Sequence, residues 1–341
     1  MFVARAPYRL SLFGGGTDYP AFYAQNASVV IAASISRHCY ITLRELPPFF
    51  ESHRTRLVYS QIEAVKKNSD LDHPSARACL SELGIENGLE IHYDGDMPAR
   101  SGIGSSSAFT VALLAALNAY LGKSLSGLEL AKEAIRIEQE VIGEPVGVQD
   151  QIMCSLGGVK VISCGPNKEL GVRPLNVRNS YLEELQQWLL VGYFGAPRLS
   201  REHAAPLVAG IRDGRHFEVL RATNELAKRA LGVLEAERPI GDLGELLMEG
   251  WRLKQILTGE NDSATSVTRV LDGAIRYGAL GGKLMGAGGS GFFLFLAPPN
   301  KHADIRANIP DIRYWTNVQF ASSGAQVWNL SQPNESLSQL S

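Results

Sequence analysis

Three glycine-rich clusters, each set against an apolar run, constrain this chain more than any other feature: Gly14-Gly15-Gly16, then Gly102-Ile103-Gly104, then Gly281 to Gly291. The 341 residues hold 34 glycines, and this excess over the usual ~7% gathers in clusters instead of spreading through linkers. Glycine gathered in this way shapes backbone, because it permits left-handed turns and lets the main chain press against a ligand. With 45% hydrophobic and 20% charged residues the chain has globular composition, which excludes wholesale disorder, collagen and coiled coil.

The first cluster, Ala6 to Pro20, runs from an apolar strand through Arg9 into Gly14-Gly15-Gly16-Thr17-Asp18, and brings opposite charges to one neighbourhood. A ligand-facing loop and a tight turn with an ion pair both fit it. The second, Met97-Pro98-Ala-Arg-Ser101-Gly102-Ile103-Gly104-Ser105-Ser106-Ser107-Ala108, leads into the helical segment Phe109 to Leu121. Consecutive N–H groups at a helix N-terminus suit a phosphate, and the serines add hydroxyl donors; a plain serine cap is the alternative. No Lys-Ser/Thr follows these glycines, so this is not the P-loop, and protein-kinase signatures are missing. The third cluster formally contains Gly-x-Gly-x-x-Gly, but Phe292 to Leu296 after it reads as a strand where the dinucleotide fingerprint requires a helix. It serves either packing or backbone contact with a ligand.

Two carboxylates sit oddly. Ser126-Gly-Leu-Glu129 is a capping box opening a helix whose apolar stripe includes Leu128, Leu130, Ala134, Ile135, Ile137, Val141 and Ile142. Glu133, Arg136 and Glu140 share its polar face, whereas Glu138 falls on the stripe and needs a metal ion or an Arg as partner. Asp150 follows in a turn punctuated by Gly143, Pro145 and Gly147, where it serves as a cap or as a base. Seven histidines form no metal motif and no nucleophile elbow occurs, so zinc and hydrolase chemistry have no support.

Lys+Arg 33 against Asp+Glu 35 leaves a net charge of −2, with no field to draw a nucleic acid or an anionic membrane. No signal peptide or membrane span is legible, and Cys39, Cys79, Cys154 and Cys164 read as reduced, buried thiols, so a cytoplasmic chain is expected. Strands are predicted at 1–6, 29–35, 39–43, 89–93, 159–162, 189–194 and 292–296, with helical periodicity over much of 216–257. A polar stretch at 163–184 places a boundary near residue 178, dividing domains 1–178 and 179–331 from a tail at 332–341.

Together the clusters resemble the three motifs of the GHMP kinase superfamily, in order: Ala6 to Tyr19, Pro98 to Ala108 with Ile103 for Leu, and Lys283 to Gly291 with Ser290 where Gly is usual. The resemblance implies an α+β two-domain fold, with an N-terminal ribosomal-protein-S5-like α/β domain, a C-terminal ferredoxin-like domain, and ATP in the cleft between them. It assigns Asp150 as the catalytic aspartate with Arg9 beside it, and Pro98 and Ser101 to Ser107 (Ser101, Gly102, Ile103, Gly104, Ser105, Ser106, Ser107) as the ATP cradle. Ser106 and Glu138 are assigned to Mg²⁺, and Gly15, Gly16, Thr17, Asp18 and Gly288 to the acceptor. Galactokinases carry Gly-Glu-His-Thr-Asp-Tyr in the first motif. Gly15 and Gly16 here resemble instead the branch that acts on a seven-carbon sugar phosphate, whose own phosphate needs cations such as Arg198 or Lys254. The expected partners are thus ATP and a small sugar phosphate, handled by a monomer or homodimer; a kinase for galactose or fucose, or a non-catalytic binding protein, are the rival expectations.

Overall fold

Strands β1 (Phe2–Phe13) and β2 (Ser28–Glu45) pair antiparallel and form the spine of the molecule. The computed structural model describes residues 1–47, 49–86, 88–195, 209–258, 264–286 and 291–330. The two apolar runs at 29–35 and 39–43 prove to be halves of the single strand β2. Its register jumps between Pro7↔His38 and Tyr8↔Ile35, so Ser36 and Arg37 form a bulge opposite the Pro7/Tyr8 step. Pro7 lacks an N–H and is tolerated at such a break in the ladder, and the bulge turns the strand. The far edge of β2 then pairs with two different strands: 39–45 with β5 (Leu89–Gly95) and 28–33 with β6 (Val159–Gly165). Strands β3 (Thr55–Val58), β4 (Ile62–Val65), β7 (Glu169–Pro174) and β12 (Gln326–Asn329) complete an eight-stranded sheet among the described residues.

After the short α1 (Pro20–Tyr23) and α2 (Pro74–Glu82), helix α3 (Ser105–Tyr120) packs across β1 and β2 and is buried along almost its whole length, as its uniformly apolar sequence requires. Helix α4 (Gly127–Arg136) starts with the expected capping box, in which Ser126 and Glu129 bond reciprocally. It does not continue as a regular helix. Residues Ile137–Val141 form a π turn, with the Ile142 N–H donating to the Ile137 carbonyl at 2.9 Å. That turn breaks the 3.6-residue period, which leaves Val141 40% exposed although the periodicity placed it inside. Helix α5 (Gln149–Leu156) then packs on β1.

The chain leaves this sheet after β7 and passes through α6 (Asn179–Trp188) into β8 (Leu189–Phe194). Helices α7 (Phe217–Glu235), α8 (Leu243–Thr258) and α9 (Ala264–Arg276) precede β9 (Gly281–Leu284) and β10 (Gly291–Leu296), and α10 (His302–Asn308) precedes β11 (Ile312–Asn317). These strands form an antiparallel sheet in the order β11-β8-β10-β9, and β12 then returns the chain to the first sheet beside β1. The sheets are not separate cores: one apolar cluster runs from Leu10, Ile31 and Leu113 to Leu226, Leu247 and Leu294. Helix α7 is pinned to the start of β2, where Asn224 accepts from Val29 N–H at 2.9 Å and donates to the Ala27 carbonyl. All four cysteines are buried and unpaired. Among the described residues no helix is long and apolar enough to cross a membrane.

Candidate active site

The second glycine cluster makes the N-terminus of α3. Gly104 caps it in the left-handed conformation (φ 75°), a geometry that suits glycine, and a Cβ there would press on Arg9 and on the Asp150 carboxylate, each 3.2 Å away. Ser101 donates to the Pro98 carbonyl at 2.6 Å, and Ser105 Oγ accepts from the Arg100 N–H at 2.9 Å, so the loop is tied to itself. Ile103 is wholly buried beneath it. The third cluster backs this loop: Phe292 N–H donates to the Ser101 carbonyl, and a Cβ on Gly102 would lie 2.7 Å from the Met285 carbonyl oxygen. Its glycines therefore serve close packing of two main chains, while Met285 and Gly286 also line the cavity beside the loop.

Arg9, on β1, grips Asp150 with two parallel hydrogen bonds, Nε to Oδ1 at 2.7 Å and Nη2 to Oδ2 at 2.9 Å, and gives a third to the Gly102 carbonyl. The two side chains are 8% and 25% exposed, so the carboxylate is the member that faces the cavity. Burial alone would weaken the guanidinium as a base, but Asp150 more than offsets this and holds Arg9 above its ordinary pKa. Asp150 lies in the first turn of α5, where the sequence suggested a glycine-punctuated turn. Gly143, Pro145 and Gly147 all precede the helix, and Ile152 and Met153 then supply its buried face.

Asp18 is completely buried and takes hydrogen bonds from the N–H groups of Gly16 and Gln149, both at 3.1 Å, and from the Gln149 side chain at 3.2 Å. Desolvation raises its pKa, with the Gln149 N–H working against that rise. Gly147 makes the arrangement possible, since a Cβ there would fall 2.0 Å from Asp18 Oδ2. Thr17, also wholly buried, donates to the Gly14 carbonyl at 2.8 Å and closes the turn instead of facing the cavity. Gly15 and Gly16 do line the cavity. Yet a Cβ at Gly15 would meet Ser11 Oγ at 2.8 Å, and Gly16 has φ 97°, so the pair reflects backbone shape as much as vacant space.

Glu138, placed by the π turn, is 0% exposed. Its Oε2 accepts from Ser107 Oγ at 2.9 Å and Gln151 Nε2 at 2.5 Å, while Oε1 has no hydrogen-bond partner. Burial pushes its pKa up to about 7 against the pull of neutral donors, the Thr110 hydroxyl first and then Gln151 and Ser107. Ser106, one residue before Ser107, is exposed and lines the cavity. Among the described residues no three His, Cys, Asp or Glu side chains gather as a metal cage.

Arg9, Asp150, Gly15, Gly16, Gly102, Gly104 and Ser105 to Ser107 line one cavity of about 310 Å³, whose far wall is Thr223, Leu226, Leu247, Gly250, Lys254 and Leu257 from α7 and α8, whereas Pro98, Ser101, Ile103, Thr17, Asp18 and Glu138 are not part of that lining. Lys254 donates to the Leu284 carbonyl at 2.6 Å. Arg198 and Gly288, both expected at the acceptor, lie outside the described residues, as does Ser290. Sequence reasoning gave no role to Gln149, Gly147, Arg100 or Lys283. The last stands inside the third cluster, as the one charged residue of the short strand β9.

A buried Arg–Asp pair beside an anion-suited helix terminus, in a cavity of metabolite size, is an arrangement suited to phosphoryl transfer on a small molecule. The chain matches the model of the GHMP kinases N terminal domain over residues 70–158 and that of the GHMP kinases C terminal domain over residues 227–311. It belongs to the GHMP kinases and is an ATP-dependent kinase. It is 29% identical over 336 residues to the D-glycero-alpha-D-manno-heptose 7-phosphate kinase of Campylobacter jejuni, covering 96% of this chain and 98% of that protein. Identity to the bifunctional fucokinase/GDP-fucose pyrophosphorylase of Arabidopsis thaliana is 32% over 315 residues, 85% of this chain but 29% of that longer protein. The fold superposes on the crystal structure of a D-glycero-D-manno-heptose 1-phosphate kinase from Bacteroides thetaiotaomicron with a TM-score of 0.75 at 23% identity, over 97% and 99% of the two chains.

Proposed function

We propose that this kinase is a sugar kinase of the cytoplasm, and that it transfers the γ-phosphoryl group of ATP to the anomeric hydroxyl of D-glycero-D-manno-heptose 7-phosphate, giving the 1,7-bisphosphate and ADP. The observation that carries the reading is the Arg9–Asp150 pair at the cradle, in a cavity whose acceptor side has Gly15 and Gly16 where galactokinases carry Glu and His. In the transfer, the bond between the anomeric oxygen and Pγ forms as the bond from Pγ to the β,γ-bridging oxygen breaks. Asp150 orients the hydroxyl and takes its proton, and Arg9 keeps the carboxylate in place and offsets charge on the moving phosphoryl group. Asp18, buried behind the acceptor side, holds the Gly14 to Gly16 turn and Gln149, which do line the cavity, in place. Main-chain N–H groups of the cradle, with Ser101 and Ser105 fixing its shape, hold the ATP phosphates.

The residues present fit Mg²⁺. Glu138 offers a buried oxygen with no partner, and Ser107 is already committed to the other oxygen, which leaves Ser106 as the hydroxyl toward the cavity. One carboxylate, a hydroxyl and substrate phosphates make up a usual Mg²⁺ set, and when bound the ion neutralises phosphate charge.

A fucose acceptor is the second reading, favoured by the 32% identity to the fucokinase-containing protein. A panel of sugars and sugar phosphates assayed for ADP release, with NMR of the product, tests both. The expected result is at least tenfold higher kcat/KM for the heptose 7-phosphate than for unphosphorylated heptose, galactose or fucose; equal or better turnover of galactose or fucose overturns the heptose assignment.

A further inference from the structure

The described lining of the cavity carries more cations than carboxylates. It includes the cations Arg9, Arg100, Lys254 and Lys283, against one carboxylate, Asp150. Arg9 is matched by Asp150, and Arg100 belongs to the cradle loop. Lys283 is different. Its ammonium donates to the Leu12 main-chain carbonyl at 2.8 Å, and among the described residues no carboxylate lies at ion-pairing distance from it. Burial above all, and then the like charges of its neighbours Lys254 and Arg9, push its pKa down to about 7. Burying an ammonium among like charges is costly unless an anion completes the group.

Position says which anion. Gly286 packs on the cradle at Gly102, and Lys283 lies three residues earlier, roughly 10 Å back along the chain at about 3.3 Å per strand residue. Lys283 bonds to Leu12, immediately before Phe13 and the Gly14 to Gly16 turn on the acceptor side, and Lys254 approaches the same strand end through Leu284. The transferred group already has the cradle and Arg9.

We propose that Lys283, with Lys254 beside it, is the seat of a phosphate that the acceptor carries before the reaction, so that Lys283 selects for a phosphorylated sugar without taking part in the transfer. This rests on the reading of the substrate as a sugar phosphate. A dianion placed between the two lysines would turn their repulsion into paired charge-assisted hydrogen bonds.

The test measures kcat and KM for heptose 7-phosphate and for unphosphorylated heptose with the wild type, Lys283→Met and Lys283→Arg, the folding of each checked by thermal melt. Lys283→Met is expected to cut kcat/KM for the 7-phosphate about ten- to a hundredfold, mainly through KM, as loss of a charge-assisted bond predicts. Unphosphorylated heptose should change by less than about threefold, and Lys283→Arg should restore most of the preference. A wild type indifferent to the acceptor's phosphate overturns the substrate reading and the seat together. If the wild type prefers the phosphate and Lys283→Met keeps that preference, the seat alone is overturned. Equal losses on both acceptors also overturn it, because Lys283 would then serve the nucleotide or the transferred group.

Discussion

Glu90 and Glu138 are both buried carboxylates, 2% and 0% exposed, but the chain treats them in opposite ways. Glu90, on β5, is surrounded by Arg44, Arg56 and His92. Burial would raise its pKa, but hydrogen bonds from His92, Arg56 and Arg44 outweigh that and pull it down to about 2. Glu138 receives only neutral donors, keeps one oxygen unbonded and is pushed up to about 7. A buried charge whose countercharges the protein supplies is a structural element; one that receives only neutral donors is a candidate for pairing with a ligand's charge. The same contrast separates Arg9, matched by Asp150, from Lys283, matched by nothing of opposite sign among the described residues.

Asp150 tests that distinction most severely, because it is paired and yet faces the cavity. If pairing alone marked a structural role, Asp150→Asn would cost stability and little activity. The expectation is the reverse: a fall in kcat on the order of 10²–10⁴-fold with ATP affinity, measured by calorimetry, close to wild type. Activity within about threefold of wild type would remove Asp150 from the mechanism.

Glu138→Gln comes next in size. On the proposal that Mg²⁺ supplies the countercharge of Glu138, the variant should lose on the order of 10–100-fold in activity at fixed Mg²⁺ and need more Mg²⁺ for half-maximal rate. Its melting temperature should hold or rise, since an unmatched buried charge has been removed. An unaltered Mg²⁺ titration would place Glu138 among the structural carboxylates and collapse the contrast with Glu90.

Much of this architecture was readable from local pattern, and the misses share a cause. The capping box at Ser126 and the strand at Phe292 to Leu296 are decided within a few residues, and both stand as read. Glu138 was visible as a charge on an apolar stripe, but the π turn that aims it was not, because a single added residue leaves no signature until packing fixes it. The fusion of two strand runs into β2 depends on pairing across the bulge, which periodicity does not encode. Gly147 and Lys283 were legible only as a turn residue and a motif residue, for a related reason. Their significance lies in what approaches from elsewhere in the chain, Asp18 in one case and Leu12 in the other.

Glu90→Gln gives the smallest effect on catalysis and the sharpest test of the structural side of the comparison. The change keeps the shape but leaves Arg44, Arg56 and His92 around a neutral amide, so the melting temperature should fall by roughly 2–5 °C at pH 7 while kcat stays within about twofold. The size of that gap should depend on pH in a definite direction. A carboxyl whose pKa drops from 4.5 to about 2 on folding contributes stability that is fully present above 4.5 and is lost as pH falls toward 2. The unfolded chain takes up the proton first, and this favours unfolding of the wild type while the variant has nothing to protonate at that position. The difference in melting temperature between the two proteins should therefore be constant from pH 7 to about 5 and shrink on going to pH 3.5. A gap that stays the same at pH 3.5 would mean that Glu90 is held by packing and not by its hydrogen bonds from Arg44, Arg56 and His92, and the rule used to separate it from Glu138 would fail at its clearest example.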